Sequence, residues 1–509
     1  MIPVIDVFAG PGGLAEGFSS IQEATGTVFA VRLSVEKETE PFQTLQLRAF
    51  YRQFQYGDVP EEYYQFLRKE IVLATLIEKY PAQMKAARDE TWQATLGQCD
   101  TNELDSRIQA ALSGENNWVL IGGPPCQAYS TAGIVGNRTK ANYQPEHDER
   151  YTLYQEYIRI IAKHQPSIFV MENVPGMLFA KLDGKKIVDD VIDGLRKPGE
   201  FAYRKFGIWP DAPGYRLASL STGLSAYDDS AGVFLVNCEE YGIPQSRQRV
   251  IILGFREDLD ISSFKPPSVA AITSTGSVLS DLPKLRSKLS KEPDGLEEWR
   301  TVFANLEDAA WVENAGELHG KKLRESITQV ARILCQKSPK AYGEDFSKCA
   351  GKASWNADWY FDPKLGGVLH HEARPHIRMD LHRYLFCACF LKVKGKSPKL
   401  PDFPEDLLPK HQNATSGDFK DRFRAVPSGK PSHTIISHLA KDGHAFIHYD
   451  PKQCRSITPR EAARIQTFPD NYYFFGGRAS QFRQIGNAVP PWLAHIIAKS
   501  ILPIFQKLK

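Results

Sequence analysis

The sequence predicts an α/β fold built on a largely parallel sheet. Short apolar runs at residues 3–8, 27–35, 117–122, 167–171, 232–237 and 249–255 read as strands, with helix-like stretches such as 14–21 and 151–163 between them. Strands alternating with helices imply parallel pairing. The first run ends in a Gly-rich turn, the punctuation expected where such a strand gives way to a helix. With 42% apolar and 11% aromatic residues over 509 positions, a large core is easily built, and the length allows about three domains.

Taken in order, the run 3–8 leads into the turn and the helix-like stretch 14–21. The run 27–35 is followed by Glu36, and a further turn carries Gly57 and Asp58. Between Asp58 and Leu96 there is no glycine, and Phe66, Leu67, Ile71, Leu73, Ala74 and Ile77 follow helical spacing. Two or three helices inserted at about 60–117 are expected. The strand pattern then resumes to 255, where 232–237 and 249–255 lie close enough to form an antiparallel hairpin at one edge. The alternation is lost over 256–430, which is expected to be a separate mixed, loop-rich domain, and the segment 431–509 returns to ordered patterns.

Composition excludes several classes. High apolar content and a net charge of +3 do not fit global disorder. No run approaches the roughly 18 apolar residues of a membrane span, and the first ten residues lack the basic region and cleavage site of a secretory signal. The eight cysteines are scattered with no C-x-x-C pair, which argues against a zinc ribbon or disulfide scaffold and for a reduced, cytoplasmic compartment. Nine of the 13 histidines fall between His370 and His448, but without the spacing of a metal site. A charge of +3 is low for a nucleic-acid binder. Locally, however, residues 364–430 hold 13 Lys and Arg against 7 Asp and Glu.

Four constellations could carry chemistry. Asp6–Gly13 (DVFAGPGG) ends a strand, where glycines let backbone approach a ligand and a helix begins. Glu36 could bind ribose hydroxyls and Asp58 an adenine amine, although a tight turn with two surface acids reads equally well. Cys126 follows a strand and two rigidifying prolines in GGPPCQ, a setting for a nucleophile rather than a core thiol. Glu172, in MENVP, stands at another strand end, able to hold or pass a proton or simply to cap a turn. Arg247 and Arg249 in QSRQR share a strand face, as cleft residues or as an edge charge pair.

Together the motifs resemble the cytosine-C5 DNA methyltransferase family, bacterial type. Those that carry the resemblance are DVFAGPGG (6–13), Glu36, Gly57-Asp58, GPPCQAYS (123–130), ENV (172–174), QSRQR (245–249), RSITPREAARIQTFPD (455–470) and QIGNAVPP (484–491), in the family's order. The resemblance implies an S-adenosylmethionine-dependent methyltransferase fold with a seven-stranded, mostly parallel sheet and helices on both faces, and a target-recognition domain at 256–430. It implies cofactor contacts at Asp6, Phe8, Ala9, Gly10, Gly12, Gly13, Leu14, Glu36, Lys37, Asp58, Val59, Pro124, Leu153, Asn487 and Val489. Cys126 would be the nucleophile, Glu172 the acid on the cytosine edge and Arg249 the group at its carbonyl oxygen. Asn173, Arg247 and Gln127 would support them. No metal is implied. Tyr129 departs from the commoner Phe, and the 60–117 insert is longer than usual.

The substrate implied is double-stranded DNA, whose cytosine must be flipped to expose C6. Ser130, Arg138, Lys140 and Thr434 match DNA-contacting positions. Arg374 and Arg378, with Arg383, lie in an amphipathic-looking stretch and are candidates for phosphate or groove contacts. The expected chain is a monomer with no membrane association, working beside a partner nuclease or other defence proteins. A tRNA cytosine methyltransferase and a catalytically silent DNA-binding regulator are the alternatives. Ser130 and the long 256–430 region favour DNA, and intact Cys126, Glu172 and arginines favour catalysis.

Overall fold

The computed structural model describes residues 1–23, 26–55, 57–125, 153–182, 185–209, 211–224, 230–409 and 422–508. The chain divides into two compact units. The first comprises Met1–Tyr63, Leu73–Ala271 and Ala488–Lys509; the second comprises Tyr64–Val72 and Ile272–Asn487. The return to the first unit therefore comes at Ala488, later than the expected 431.

The first unit is built on one sheet. Its strands are β1 (Ile2–Val7), β2 (Phe29–Glu36), β3 (Thr91–Gln93), β4 (Val119–Gly122), β5 (Ile168–Asn173), β6 (Tyr215–Ser219), β7 (Gly223–Leu224), β8 (Leu235–Asn237) and β9 (Gln248–Arg256). The order is β7-β6-β9-β5-β4-β1-β2-β3, with β8 pairing beside β9. Pairing is parallel from β3 through β5 and antiparallel beyond it. The sheet has nine strands rather than the seven expected, six long ones and the short pieces β3, β7 and β8. The 232–237 and 249–255 runs do pair antiparallel, through Val236 and Arg249. β9 itself is not at an edge, since it runs between β5 and β6.

Both faces of the sheet are covered, which is why β1, β4 and β5 are continuous buried runs rather than alternating ones. A register shift between Val4 and Ile5 sets Asp6 beside Ser34. Beyond α2 (Thr39–Arg52), one face carries α3 (Thr101–Leu112) and α4 (Leu153–His164), which bury Leu104, Ile108, Ile158 and Ile161 against Ile5, Val7, Leu33 and Val35. On the other lie α1 (Gly13–Ser19) and the helix Pro491–Gln506, with Phe18, Leu493, Ile497 and Ile501 against Val4, Phe29 and Val31.

The expected helical insert is only partly an insert. Helices Glu61–Leu67, Leu73–Lys79 and Pro81–Glu90 are present. After them the chain makes β3 in register with Ser34–Glu36, then α3, whose N-cap Asp100 accepts from the Asn102 amide at 2.9 Å. Thus 91–112 is part of the α/β layer itself. Three residues, Thr91-Trp92-Gln93, are too few to show a strand period.

The second unit has its own core, formed by the helices Ala310–His319, Lys321–Lys337 and Arg378–Lys394. The last of these is buried all round from Tyr384 to Phe390 rather than amphipathic. The TPRE run of the 455–470 motif caps the helix Pro459–Ile465. Thr458 accepts from the Glu461 amide, Glu461 accepts from that of Thr458, and proline opens the first turn. Arg455 forks onto Glu461 at 2.6 and 2.7 Å, and Arg464 onto Asp470 at 2.7 and 2.8 Å, all buried. These arginines build the unit rather than face solvent. By length and hydropathy the stretch Arg478–Gln506 could cross a membrane, but 67% of its apolar window is buried inside the protein.

Candidate active site

The glycine loop leaves β1 at Val7. Phe8 has φ +56°, a conformation that costs a non-glycine residue energy and recurs where a loop is held for function. The Ala9 amide donates to Val35 at 3.1 Å, and the Gly10 amide donates to Glu36 Oε2 at 2.8 Å. The other oxygen of Glu36 accepts from the Glu38 amide at 2.8 Å. Glu36 therefore ties the loop to the end of β2. Burial raises its carboxyl pKa, and the amides that it accepts from pull it back. Asp6, fully buried beneath the loop, is raised well above the carboxylate range by burial, against an opposing pull from Arg52. Neither Asp6 oxygen meets a hydrogen-bond donor in good geometry among the described residues.

Gly12 (φ +91°) turns the chain into α1. A Cβ on Gly13 would lie 2.2 Å from the Val489 carbonyl oxygen, and one on Gly17 would lie 2.4 Å from both the Ala494 Cβ and the Pro491 carbonyl. The segment 489–494 thus presses directly on the helix that follows the loop, and Leu14 is buried beneath. Val59 is buried, while Asp58 and Lys37 are exposed. Leu153 opens α4 and packs over Gly97, and Pro124 is buried at the end of β4. Asn487, by contrast, is the exposed last residue of the helix Arg478–Asn487 in the second unit.

The register of β5 against β9 brings the predicted acid Glu172 and the predicted Arg249 together. Glu172 pairs with Ile251 and Asn173 with Val250, so Arg249 arrives beside Glu172. Arg249 Nε stands 2.7 Å from Glu172 Oε1, with both side chains nearly buried. The second carboxylate oxygen lies 2.8 Å from where a Cβ on Gly123 would be. Glu172 therefore touches the start of the loop that leads to Cys126. Asn173 braces the same loop, donating from Nδ2 to the Pro124 carbonyl at 3.2 Å. Arg247 is wholly buried and donates to the Ala488 carbonyl at 2.9 Å. Burial and the neighbouring Arg249 pull its guanidinium down to about 9. Cys238, near these arginines, is pushed up to about 12 by burial and is no nucleophile. Cys126, Gln127, Ser130, Arg138 and Lys140 lie outside the described residues.

The family model for C-5 cytosine-specific DNA methylases matches residues 69–503. The chain belongs to that family. The methylase is 30% identical to the type II methyltransferase M.Bpa9945I of Bacillus paralicheniformis, over 99% of both chains. It is 26% identical to the DNA (cytosine-5-)-methyltransferase M.ApeKI of Aeropyrum pernix, over 82% of this chain and 87% of that one. A solved structure described as a candidate DNA modification methyltransferase from an E. coli prophage superposes at TM-score 0.51 with 18% identity, over 99% of this chain and 100% of that one. That likeness is one of fold.

The remaining candidates lie in the second unit of the methylase. Thr434 is half-buried. Arg378 opens its helix exposed and pairs with Glu292 at 2.7 Å. Arg374 and Arg383 do not form a solvated face. Arg383 is buried against Asp380 and the Leu407 and Leu408 carbonyls, and Arg374 donates to three carbonyls of another segment. The clustered histidines are mostly core residues, and no group of metal-ligating side chains forms among the described residues. Sequence reasoning missed Gly17, and it gave Gly123 and Ala488 no role of their own although both lie inside the quoted motifs. The four-residue spacing of Gly13 and Gly17 on one helix was the available signal for the first.

Proposed function

We propose that the methylase adds a methyl group to C5 of a cytosine within a short double-stranded DNA sequence, with S-adenosylmethionine as donor. The observation that carries this reading is the Glu172–Arg249 pair held against the Gly123-Pro124 loop. An acid and a fixed cation side by side suit the N3 and O2 edge of one flipped cytosine. The residues at the glycine loop fit the donor. Glu36 offers a carboxylate, Gly10 opens onto free space, and Asp6 brings a buried carboxyl beneath a zwitterion. With Val59 and Val489 these residues would hold it. When bound, S-adenosylmethionine supplies an electrophilic methyl group.

C5 of cytosine is a weak nucleophile. Addition of the Cys126 thiolate to C6 turns the ring into an enamine, dividing one hard step into easier ones. A proton shared between Glu172 and N3, with Arg249 at O2, stabilises the electron-rich ring. Once C5 carries its methyl group, loss of the C5 proton returns the electron pair to the ring and breaks the C6–S bond, freeing Cys126. Asn173 positions the Cys126 loop, and Arg247 positions the segment at Ala488. We place the enzyme in the cytoplasm, as a monomer, marking self DNA beside a nuclease in a restriction-modification or related defence system.

The test is covalent trapping on DNA containing 5-fluorocytosine, with bisulfite sequencing of DNA and tRNA from an expressing host. Wild type should trap and mark one short DNA motif, and Cys126→Ser should not trap while still binding S-adenosylmethionine. Trapping by the Ser variant would remove Cys126 as nucleophile. Marked tRNA with unmarked DNA would establish the tRNA reading, and no mark at all a silent regulator.

A further inference from the structure

Arg374 follows the strand Gly367–Glu372 and precedes the helix Arg378–Lys394. Its guanidinium is taken up by backbone carbonyls. Nη1 donates to the Lys441 carbonyl at 2.6 Å, and Nη2 donates to those of Ala440 and Leu439 at 2.9 and 3.2 Å. These are consecutive carbonyls at the end of the short turn Ser437–Ala440, left without partners by the turn itself. The guanidinium carbon lies 5.9 Å from the ring centre of Phe482, on the helix Arg478–Asn487. The same helix fixes the other end of the turn. A Cβ on Gly486 would lie 2.6 Å from both the Ile436 carbonyl carbon and the Ser437 nitrogen, so backbone rests on backbone there. Leu439 is buried beneath.

With its inner side clamped at both ends, the turn presents a distinct outer side. Ile436 is 43% exposed, an apolar side chain left open beside polar neighbours. His438 and Lys441 are exposed, and among the described residues neither side chain meets a carboxylate. An apolar contact beside two donors suits a DNA duplex, with a thymine methyl group for the first and base-edge or phosphate acceptors for the others. The turn begins two residues after Ile435, in the segment that carries Thr434.

We infer that Arg374 is a positioning residue for DNA recognition: it sets the pose in which the turn Ser437–Ala440 offers Ile436, His438 and Lys441 to the duplex. This rests on the proposed DNA activity. It replaces the direct phosphate contact expected of Arg374. A planar fork reaching three carbonyls cannot be reproduced by a point charge, so lysine is no substitute here.

The experiment compares wild type with Arg374→Lys and Arg374→Gln. It reads kcat and KM on the cognate duplex and on one-base variants of it, the salt dependence of DNA binding, and hydrogen exchange of amides 437–441 in the DNA-free protein. Both variants should exchange faster in the turn. Both should lose about 10- to 100-fold in cognate kcat/KM, with discrimination between sites reduced and the salt slope unchanged. Lysine behaving as wild type, with glutamine lowering the salt slope by about one, would show a phosphate contact and overturn the inference. Equal losses on every sequence, in step with a lower melting temperature, would show a merely structural role and overturn it too. If neither variant folds, Lys441→Gln and His438→Gln decide. A several-fold higher KM for DNA with kcat held supports the turn as a contact surface, and no change overturns it. Wild-type protein that leaves DNA unmarked would refute the underlying activity instead, while the exchange of the turn still reports whether Arg374 holds it.

Discussion

Glu172 and Arg249 depend on each other. Each is nearly buried, and removing either charge strands its partner in a site that screens it poorly. Arg249→Gln should lower stability by about 2–3 kcal/mol, seen in denaturant unfolding, besides losing turnover. Glu172→Gln should keep the shape of the site and lose about 100-fold or more in kcat. A near-normal rate would remove its role. Both residues were legible in the sequence as polar groups at strand ends. Their meeting was not, because it depends on the register of β5 against β9, and nothing local to either motif fixes that register. Arg374 shows the converse. Its charge was legible, but its engagement with carbonyls some 65 residues further along the chain was not.

Among the elements, α1 is the most constrained. Gly13 and Gly17 exist to let the backbone of 489–494 come within contact distance. Gly17→Ala would drive a methyl group into Ala494 and the Pro491 carbonyl, costing about 1–3 kcal/mol of stability. Calorimetric titration should show weakened S-adenosylmethionine binding, since the glycine loop is continuous with this helix; unchanged binding would separate the loop from its support. The long strands were readable because both their faces are buried, giving continuous apolar runs. β3 was not, and the helices on either side of it therefore read as one insert. Two neighbouring helices buttress the same region: Arg52 on Thr39–Arg52 pairs with Glu90 on Pro81–Glu90, and Arg48 on Thr39–Arg52 forks onto Glu16 of α1 at 2.5 and 2.8 Å.

At the scale of the whole molecule, histidines set the response to acid. Burial holds His370, His371 and His448 neutral, with values lowered to about 4, although Asp345 or Glu461 partly offsets it. Unfolded histidine titrates near 6.5. Between about pH 6.5 and 4 the unfolded chain therefore takes up protons that the fold refuses, so stability falls as pH drops through that window and is untouched above it. The loss should reach a few kcal/mol, measured as the denaturant midpoint at pH 7 against pH 5. A midpoint that does not move would mean that these side chains are solvated. The basic excess at 364–430 reads differently in three dimensions. Arg374 and Arg383 serve backbone carbonyls and Arg378 serves Glu292, so a count of charges overstates what that stretch can offer to phosphates.

The first unit is sewn from segments far apart in the chain. Ser20 meets His495, 475 residues away, at 2.6 Å, and the segment 488–495 packs against Gly13 and Gly17. A ribosome adding about 5–20 residues per second needs roughly 25–95 s to span that interval. For that time the glycine loop is already made but has no seat. Nascent chains that have not yet reached residue 494 should be unable to take up the methyl donor.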